Sequence, residues 1–214
     1  MISEVYNEDN MVGMSRYPDG FFELAIVDPP YGIREDGHRE NNRSKLAKSK
    51  KYHKALWDQP SPNREYFEEL KRVSVNQIIW GANNYPQFLT PSPCWIVWDK
   101  NNSGNFADCE LAYGSFETAV RKFKFTWNGM LQEDMGNKEL RIHPTQKPVA
   151  LYKWLLKNYA KQGDKILDTH MGSQSSRIAA YDMGFDYYGW EIDADYFRDG
   201  CSRFELFKSQ TKLF

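Results

Sequence analysis

Short apolar runs alternate with amphipathic stretches along this chain of 214 residues, and this alternation strongly constrains its fold. The runs FELAIVD (22–28) and CWIVWDK (94–100) are rich in the β-branched and aromatic residues typical of buried strands. The stretches NREYFEELKRV (63–73) and KPVALYKWLLKNYA (147–160) carry apolar residues at helical spacing. Strands that alternate with helices predict an α/β domain with a mostly parallel central sheet.

Further segments continue this alternating pattern, and a length of 214 residues suits a single domain of residues 1–214. Strands are expected at EVY near residue 5, VNQIIWGA (75–82), ELAYGSFETAV (110–120), RKFKFTW (121–127), KILD (165–168) and YYGWE (187–191), and helices at SSRIAAYDM (175–183) and from Ala194 onward.

Several of the predicted strands end on an acid. Asp28, Asp168 and Glu191 each end an apolar run, and Asp9 follows the short run near the N-terminus. Ligands of parallel sheets bind outside the carboxyl ends of the strands, so these acids are predicted to gather along a ligand-binding edge. The alternative interpretation is that each acid is a helix cap or a turn residue.

The composition argues against several classes of protein. A hydrophobic content of 41% suits a globular chain, and no apolar run approaches the roughly 20 residues that span a bilayer. The N-terminus, MISEVYNEDN, is too polar for a signal peptide. The three cysteines are too widely spaced for a CxxC metal site or a disulfide framework. We therefore expect a reduced, cytoplasmic protein with no membrane and no metal partner.

The segment after Tyr31 is strongly basic, although the net charge of the whole chain is only -1. Residues 32–57 carry eight lysines and arginines against three acids. One interpretation is a solvated surface loop, and the other is a loop that contacts phosphates beside the site that follows Pro30. The candidate phosphate-contacting residues are Arg34, Arg39, Arg43, Lys45, Lys48, Lys50, Lys51 and Lys54.

The sequence DPPY (28–31) ends the first long apolar run. Its paired prolines lock two φ angles and remove two backbone donors, which leaves carbonyls in a fixed geometry beside the Asp28 carboxylate. Two acceptors that face one point suit a guest with two hydrogens to donate, such as an amino group on a flat ring, and Tyr31 offers a face for that ring. The alternative is a proline-terminated strand with a capping aspartate.

Several motifs in this order resemble those of one enzyme family. DPPY at a strand end resembles the catalytic motif of amino-directed DNA methyltransferases, which modify adenine N6 or cytosine N4. HPTQKP (143–148) matches the motif that opens the cofactor-side helix in the β group of these enzymes. Further segments that resemble the family are IIWGANNY, CWIVWDKNNSGNFADCE with its W-D-K and D-x-E, the cofactor loop DTHMGSQSS (168–176) and the following strand YYGWEID (187–193).

The resemblance implies a Rossmann-like methyltransferase sheet of seven mostly parallel strands, circularly permuted, with a small recognition insertion. In the β group the catalytic half precedes the cofactor half. The N-terminal EVYNEDN then supplies the strand and acid that otherwise follow YYGWE. A short segment, residues 121–142, is left for target recognition, and the basic residues of RKFK are expected to extend a positive surface toward DNA.

The resemblance also implies S-adenosylmethionine as cofactor. Glu191 is expected to accept from the ribose hydroxyls, Trp190 or Ile192 to flank the adenine, and Asp9 to accept from its amino group. The segment 145–147 is expected to line the methionine end, with Thr145 as a possible N-cap of the following helix. The implied catalytic residues are Asp28, Pro29, Pro30 and Tyr31. The implied cofactor-binding residues are Asp9, Asp28, His143, Thr145, Gln146, Lys147, Asp168, His170, Gly172, Ser173, Glu191 and Ile192.

Two positions depart from the family pattern. His170 stands where the cofactor loop usually carries phenylalanine, and Gln174 stands in place of a glycine. A side chain at position 174 is expected to crowd the loop if that glycine needs a positive φ. A catalytically weakened DNA-binding protein of the same fold is therefore an alternative to an active enzyme.

The predicted function is methyl transfer to adenine N6 in double-stranded DNA after base flipping. Within the family, DPPY leans toward adenine and SPPY toward cytosine, so an N4-cytosine enzyme is the alternative. A homodimer, a restriction-modification setting and a bacterial or phage-infected host cell complete the expectations.

Overall fold

The computed structural model describes residues 1–32, 61–102, 107–128 and 131–211. The strands are β1 (Ser3–Tyr6), β2 (Phe22–Val27), β3 (Ser74–Trp80), β4 (Trp95–Asp99), β5 (Cys109–Gly114), β6 (Arg121–Lys124), β7 (Trp127–Asn128), β8 (Leu131–Gln132), β9 (Lys165–Asp168) and β10 (Asp186–Trp190). The helices are α1 (Asn10–Met14), α2 (Arg64–Val73), α3 (Val149–Tyr159), α4 (Ser175–Met183) and α5 (Ala194–Thr211), with single 3₁₀ turns at Ala82–Asn84 and Pro86–Phe88.

The central sheet has the strand order β1-β10-β9-β2-β3-β5-β4-β6. Within this sheet β5 runs antiparallel to both of its neighbours, and the remaining pairs are parallel. The predicted mostly parallel α/β sheet is therefore confirmed. The strand count is eight in place of the expected seven, because β6 adds an edge strand beside β4.

Strand β6 joins the sheet through alternation of its side chains. Phe123 packs against Trp154 of α3 with ring centroids 5.4 Å apart, while Arg121, Lys122 and Lys124 are exposed. The prediction of one strand over 121–127 is wrong at its end. The chain leaves the sheet after Lys124, and β7 pairs with β8 in a separate two-stranded hairpin.

The circular permutation is visible in the pairing of the first strand with the last. β1 lies parallel to β10, with Ser3 opposite Tyr187 and Tyr6 opposite Trp190. The N-terminal strand therefore occupies the sheet edge beyond YYGWE, as predicted. A close approach of α1 accompanies this arrangement, since a Cβ on Gly13 would lie 2.1 Å from the Trp190 indole nitrogen.

Helices cover both faces of the sheet. Leu151 of α3 and Ala179 of α4 belong to one buried cluster, whereas Met14 of α1 and Phe67 of α2 belong to the other. Successive strand residues alternate between the two clusters, which matches the period of two that a strand imposes. This two-sided burial explains why the strands read as continuous apolar runs.

Within the described ranges, no helix is long and apolar enough to cross a membrane. Across those same ranges, no group of three or more His, Cys, Asp or Glu side chains is arranged to hold a metal ion. The domain boundaries given above for 1–214, 32–57 and 121–142 stay predictions.

Candidate active site

The acids expected at one sheet edge do lie at the carboxyl ends of neighbouring parallel strands. Asp28 follows β2, Asp168 ends β9, and Glu191 follows β10, whose own neighbour is β1. Asp9 follows β1, but its Oδ1 accepts from the backbone N–H groups of Met11 and Val12 at 2.8 and 3.3 Å. At this position the helix-cap interpretation is correct, since Asp9 is the N-cap of α1.

Both oxygens of the Asp28 carboxylate already have a donor. The Tyr31 hydroxyl donates to Oδ1 at 2.7 Å, and the Lys147 ammonium donates to Oδ2. The Asp28 side chain is 16% exposed, so one part of it still faces solvent. An ionised carboxylate offers about four lone-pair positions, so about two remain for a guest. The carboxylate is therefore oriented from within the protein and keeps capacity to accept.

The two prolines of DPPY are held by a tyrosine that the sequence did not single out. The hydroxyl of fully buried Tyr85 lies 3.2 Å from the Pro29 carbonyl oxygen and 2.5 Å from that of Pro30. Tyr85 ends the segment IIWGANNY, whose resemblance to the family was the available signal. Each carbonyl has two lone pairs, so the Pro29 oxygen can accept a second hydrogen bond.

The Tyr31 ring lies against the backbone of Gly81. A Cβ on Gly81 would fall 2.0 Å from Tyr31 Cε1, and Gly81 has a φ of +64°. Both the space and the backbone conformation therefore favour glycine at this position. Burial, reinforced by the nearby Asp28 carboxylate, raises the pKa of Tyr31 well above its ordinary value, which keeps the phenol protonated as a donor.

A chain of alternating charges runs from Asp28 through Lys147 and Glu110 to Lys100. The Lys147 side chain is 3% exposed, and its ammonium lies 3.2 Å from Glu110 Oε2 while it contacts Asp28. Lys100 contacts the other Glu110 oxygen. Burial alone would lower the pKa of Lys147, but the facing carboxylates of Asp28 and Glu110 raise it above its usual value.

Glu110 has the matching perturbation. Burial alone would raise its pKa, but the ammonium groups of Lys147 and Lys100 hold it below the usual value. Glu110 and Lys100 lie in the D-x-E and W-D-K segments, and the sequence predicted no role for either residue. Their role depends on contacts among side chains from the end of β4, from β5 and from the segment before α3. The sequence does not reveal those contacts.

The loop after β9 is organised by the buried Asp168 carboxylate. It accepts from the Ser176 hydroxyl at 2.6 Å and from the His170 backbone N–H at 3.0 Å. Burial raises the pKa of Asp168 to about 7. The following Gly172 has a φ of +47°, which permits the turn that leads into α4.

Glu191 lies beside this turn. Its two oxygens accept from the backbone N–H groups of Gly172 at 2.8 Å and Asp193 at 2.9 Å. Burial raises its pKa, and about two lone-pair positions remain. Next to it, Ile192 is 66% exposed whereas Trp190 is fully buried, so of the two residues expected to flank an adenine only Ile192 faces outward.

The HPTQKP segment forms a compact loop in which several side chains bind each other. The Thr145 hydroxyl lies 3.0 Å from His143 Nδ1, and burial lowers the pKa of His143 to about 3, so the ring is neutral. Gln146 accepts from the Ile142 backbone and donates to the Leu140 carbonyl.

The helix cap expected in this segment is different from the one observed. The N-cap of α3 is Pro148, which provides no side-chain hydrogen bond, so the expectation that Thr145 caps this helix is wrong. The hydroxyl of Thr145 is directed at His143 because the helix begins only at Val149.

Gln174 does adopt the conformation that favours glycine, with a φ of 58°. Its side chain, however, extends away from the loop toward α5, where Nε2 lies 3.3 Å from the Phe197 carbonyl oxygen. Its Oε1 accepts from Arg177 at 2.9 Å, and Gly200 leaves the space, since a Cβ there would lie 2.8 Å from the Gln174 side chain. The expected crowding of the cofactor loop is therefore absent.

His170 belongs to a polar cluster between the loop and α1. Its ring nitrogens lie 2.9 Å from the Thr169 hydroxyl and 3.1 Å from Asn10 Nδ2. Burial lowers the pKa of His170 to about 4, so it acts as a neutral hydrogen-bonding ring. The eight basic residues predicted to contact DNA between 34 and 54 lie outside the described residues.

The arrangement around the β9 and β10 ends fits S-adenosylmethionine. The Glu191 carboxylate keeps acceptor capacity for a ribose diol, and the exposed Ile192 offers an apolar face beside it. The turn at Gly172 leaves its backbone open to close approach. These groups follow β9, which is adjacent to β2, and β10, which is the next strand beyond β9. Asp28 follows β2, so the cofactor residues and the catalytic residues share one edge of the sheet.

Several known proteins are similar to this chain in sequence or in fold. The Type II methyltransferase M2.DpnII of Streptococcus pneumoniae is 21% identical over 255 residues, which cover 96% of this chain and 93% of that protein. The crystal structure of an M1.HpyAVI–SAM complex has a TM-score of 0.57, with 20% identity, and covers 95% of this chain and all of that one. The cytosine-N4-specific PvuII DNA methyltransferase has a TM-score of 0.61, with 11% identity and coverage of 96% and 89%.

The model of the N6/N4 methyltransferase family, described as DNA methylase, matches residues 79–201, which include HPTQKP and the whole cofactor loop. This family uses S-adenosylmethionine. The match covers more than half of the chain, and the fold and the edge of acids agree with it. The chain therefore belongs to the N6/N4 family of S-adenosylmethionine-dependent DNA methyltransferases.

Proposed function

We propose that this enzyme methylates the N6 amino group of adenine in double-stranded DNA. The observation that carries the proposal is the Asp28 carboxylate, oriented by Tyr31 and Lys147 beside a fixed Pro29 carbonyl. Together they present two acceptors to one amino group. The aspartate of DPPY, in place of the serine of SPPY, is the reason for favouring adenine over cytosine.

The target base must leave the helix before it reaches these acceptors, and flipping costs a few kcal/mol. In the site, the amino group donates one hydrogen to Asp28 and the other to the Pro29 carbonyl. These bonds draw the nitrogen lone pair out of conjugation with the ring and orient it toward the cofactor side. The Tyr31 ring, held by Gly81, supports the base by stacking.

S-adenosylmethionine supplies an electrophilic methyl group when it is bound. The residues of this chain contribute position and electrostatics, and no covalent enzyme intermediate is required. As the new N–C bond forms, the bond between the methyl carbon and the sulfonium sulfur breaks, and its electron pair stays on sulfur in the departing thioether. One amino proton leaves and passes to Asp28 or to water. Glu191 holds the ribose end, Asp168 organises the loop, and Gly172 and Ser173 provide the backbone approach. The proposal keeps the cofactor contacts that the sequence predicted for Asp9, His143, Thr145, Gln146 and His170.

Basic side chains provide the proposed contacts to DNA phosphates. Arg121, Lys122 and Lys124 lie exposed on the edge strand β6, and residues 34–54 add a further eight basic side chains. Phosphate contacts of this kind are independent of sequence and weaken as salt rises. The short recognition segment 121–142 and a homodimer remain part of the proposal.

The decisive experiment uses methyl-labelled S-adenosylmethionine and mixed-sequence duplex DNA. Digestion to nucleosides and mass spectrometry should give N6-methyladenine, and sequencing of the modified bases should place it in one context. Asp28→Asn is the matched control, expected to lower transfer at least about 100-fold, the loss typical of removing one transition-state contact. Its affinity for the cofactor should remain close to wild type.

Two other outcomes contradict the proposal in different ways. A product of N4-methylcytosine assigns the enzyme to the cytosine branch of the family. Absence of any methylated base, with the wild type and Asp28→Asn indistinguishable, indicates a DNA-binding protein without transfer activity. The orientation of Gln174 away from the cofactor loop supports an active enzyme over this last alternative.

A further inference from the structure

Lys147 was expected at the methionine end of the cofactor because of its place in HPTQKP, and its side chain reaches the Asp28 carboxylate. The ammonium contacts Asp28 Oδ2 and lies 3.2 Å from Glu110 Oε2. It also lies 5.4 Å from the ring centre of Trp80, which is fully buried. These contacts bring Lys147 to the acceptor of the target amino group.

We propose that Lys147 is a positioning residue for methyl transfer: held by Glu110, its ammonium fixes the Asp28 carboxylate so that the free lone pairs face the target amino group. This inference rests on the proposed function and adds to it a role for four residues outside DPPY. Glu110 holds the Lys147 ammonium, and Lys100 in turn holds Glu110. The Trp80 ring lies 5.4 Å from the same ammonium.

The number of acceptors allows Lys147 and the base to bind Asp28 at the same time. Tyr31 and Lys147 use about two of the four lone-pair positions of the carboxylate, one on each oxygen. A donor on each oxygen stops rotation of the carboxylate about its terminal torsion, which is otherwise broad. The amino group then meets an acceptor whose direction is already set.

The charges of this cluster also require Lys147. Asp28 and Glu110 are two carboxylates that share one buried ammonium between them, and Glu110 has a second partner in Lys100. Removal of the Lys147 charge would leave Asp28 without its cationic partner and oriented by the Tyr31 hydroxyl alone. A catalytic group displaced by about 1 Å can lose about 100-fold in rate.

The test separates a role at Asp28 from a role at the cofactor. Lys147→Met keeps the length of the stem and removes the ammonium. We expect kcat for DNA methylation to fall about 100-fold, while the Kd for S-adenosylmethionine, measured by calorimetry, stays within about twofold of wild type. Lys153→Met is the matched control, because Lys153 lies on α3 and its ammonium pairs with Asp182 at 2.5 Å.

A second variant applies if Lys147→Met fails to fold. Glu110→Gln keeps the shape of that side chain and removes the charge that holds Lys147. We expect a smaller loss in kcat, about 10-fold, again without a change in cofactor affinity.

Three results overturn the inference. The first is an unchanged kcat in Lys147→Met. The second is an unchanged kcat in Glu110→Gln when Lys147→Met does not fold. The third is a variant that binds the cofactor more weakly but keeps the wild-type kcat at saturating cofactor. In each case the wild type still methylates DNA, so the proposed function survives. A wild type that methylates no nucleic acid instead refutes the proposed function itself.

Discussion

Replacement of Gln174 by glycine tests whether this side chain obstructs the cofactor loop or stabilises the packing of α4 against α5. The residue has a left-handed backbone, and its side chain contacts Arg177, Phe197 and Cys201 away from the loop. Glycine restores the residue typical of the family and deletes those contacts. Stability and cofactor affinity should therefore respond differently.

The expected change in stability follows from three contributions. Relief of the left-handed strain returns about 1 kcal/mol, part of which is lost again because glycine is more flexible in the unfolded chain. Loss of the hydrogen bond to the Arg177 guanidinium costs about 1.5–3 kcal/mol, and the weaker bond to Phe197 costs about 0.5–1 kcal/mol. The free energy of unfolding should fall by about 2 kcal/mol, which lowers Tm by about 4–8 °C for a chain of this size.

Denaturant unfolding and calorimetric titration with S-adenosylmethionine measure the two responses. We expect the cofactor Kd of Gln174→Gly to stay within about threefold of wild type, because the side chain does not enter the loop. Gln174→Ala is the comparison, since it loses the same contacts and keeps the strain, and it should be less stable than the glycine variant by about 1 kcal/mol. A tenfold gain in cofactor affinity in Gln174→Gly would refute this reasoning and show that the glutamine crowds the loop.

Two further predictions concern Asp168 and the contact between Gly81 and the Tyr31 ring. Burial raises the pKa of Asp168 to about 7, above about 3.9 in an unfolded chain. The folded state therefore keeps a proton between pH 4 and 7 that the unfolded chain releases, and this stabilisation is lost as pH rises. Between pH 4 and 8, the free energy of unfolding of Asp168→Asn should rise by up to about 4 kcal/mol relative to that of wild type, as measured by denaturant unfolding at several pH values. A difference between the two proteins that does not change with pH would contradict this. Gly81→Ala places a Cβ 2.0 Å from Tyr31 Cε1. The kcat in the methylation assay should therefore fall about 10- to 100-fold, while the cofactor affinity is preserved. An unchanged kcat would show that the position of Tyr31 is unimportant.

The sequence predicted the elements whose signals are local and strong. The apolar runs before Asp28 and Asp168 became β2 and β9, and the helical spacing around Tyr66 and Leu70 became α2. Their type follows from periodicity and from burial on both faces of the sheet. The order of motifs also predicted that the first strand would pair beyond the last.

The rest depended on contacts between distant segments. Residues 121–124 form an additional sheet strand because Phe123 finds Trp154, which lies 31 positions further along the chain. The partnership of Lys147 with Asp28 joins residues 119 positions apart, and no local pattern indicates it. The sequence therefore identified the motifs of the site but did not show which side chains hold each other.

The placement of β1 beside β10 has a consequence for synthesis on the ribosome. Residues 3–6 are made well before their partners, residues 187–190, so this sheet edge stays open until those residues have been made. Pairing at this sequence separation is slow to form, and unpaired strand edges invite association with other chains. The pairing of β1 beside Glu191 should therefore form late in folding, and the bound cofactor would then favour the closed sheet by mass action.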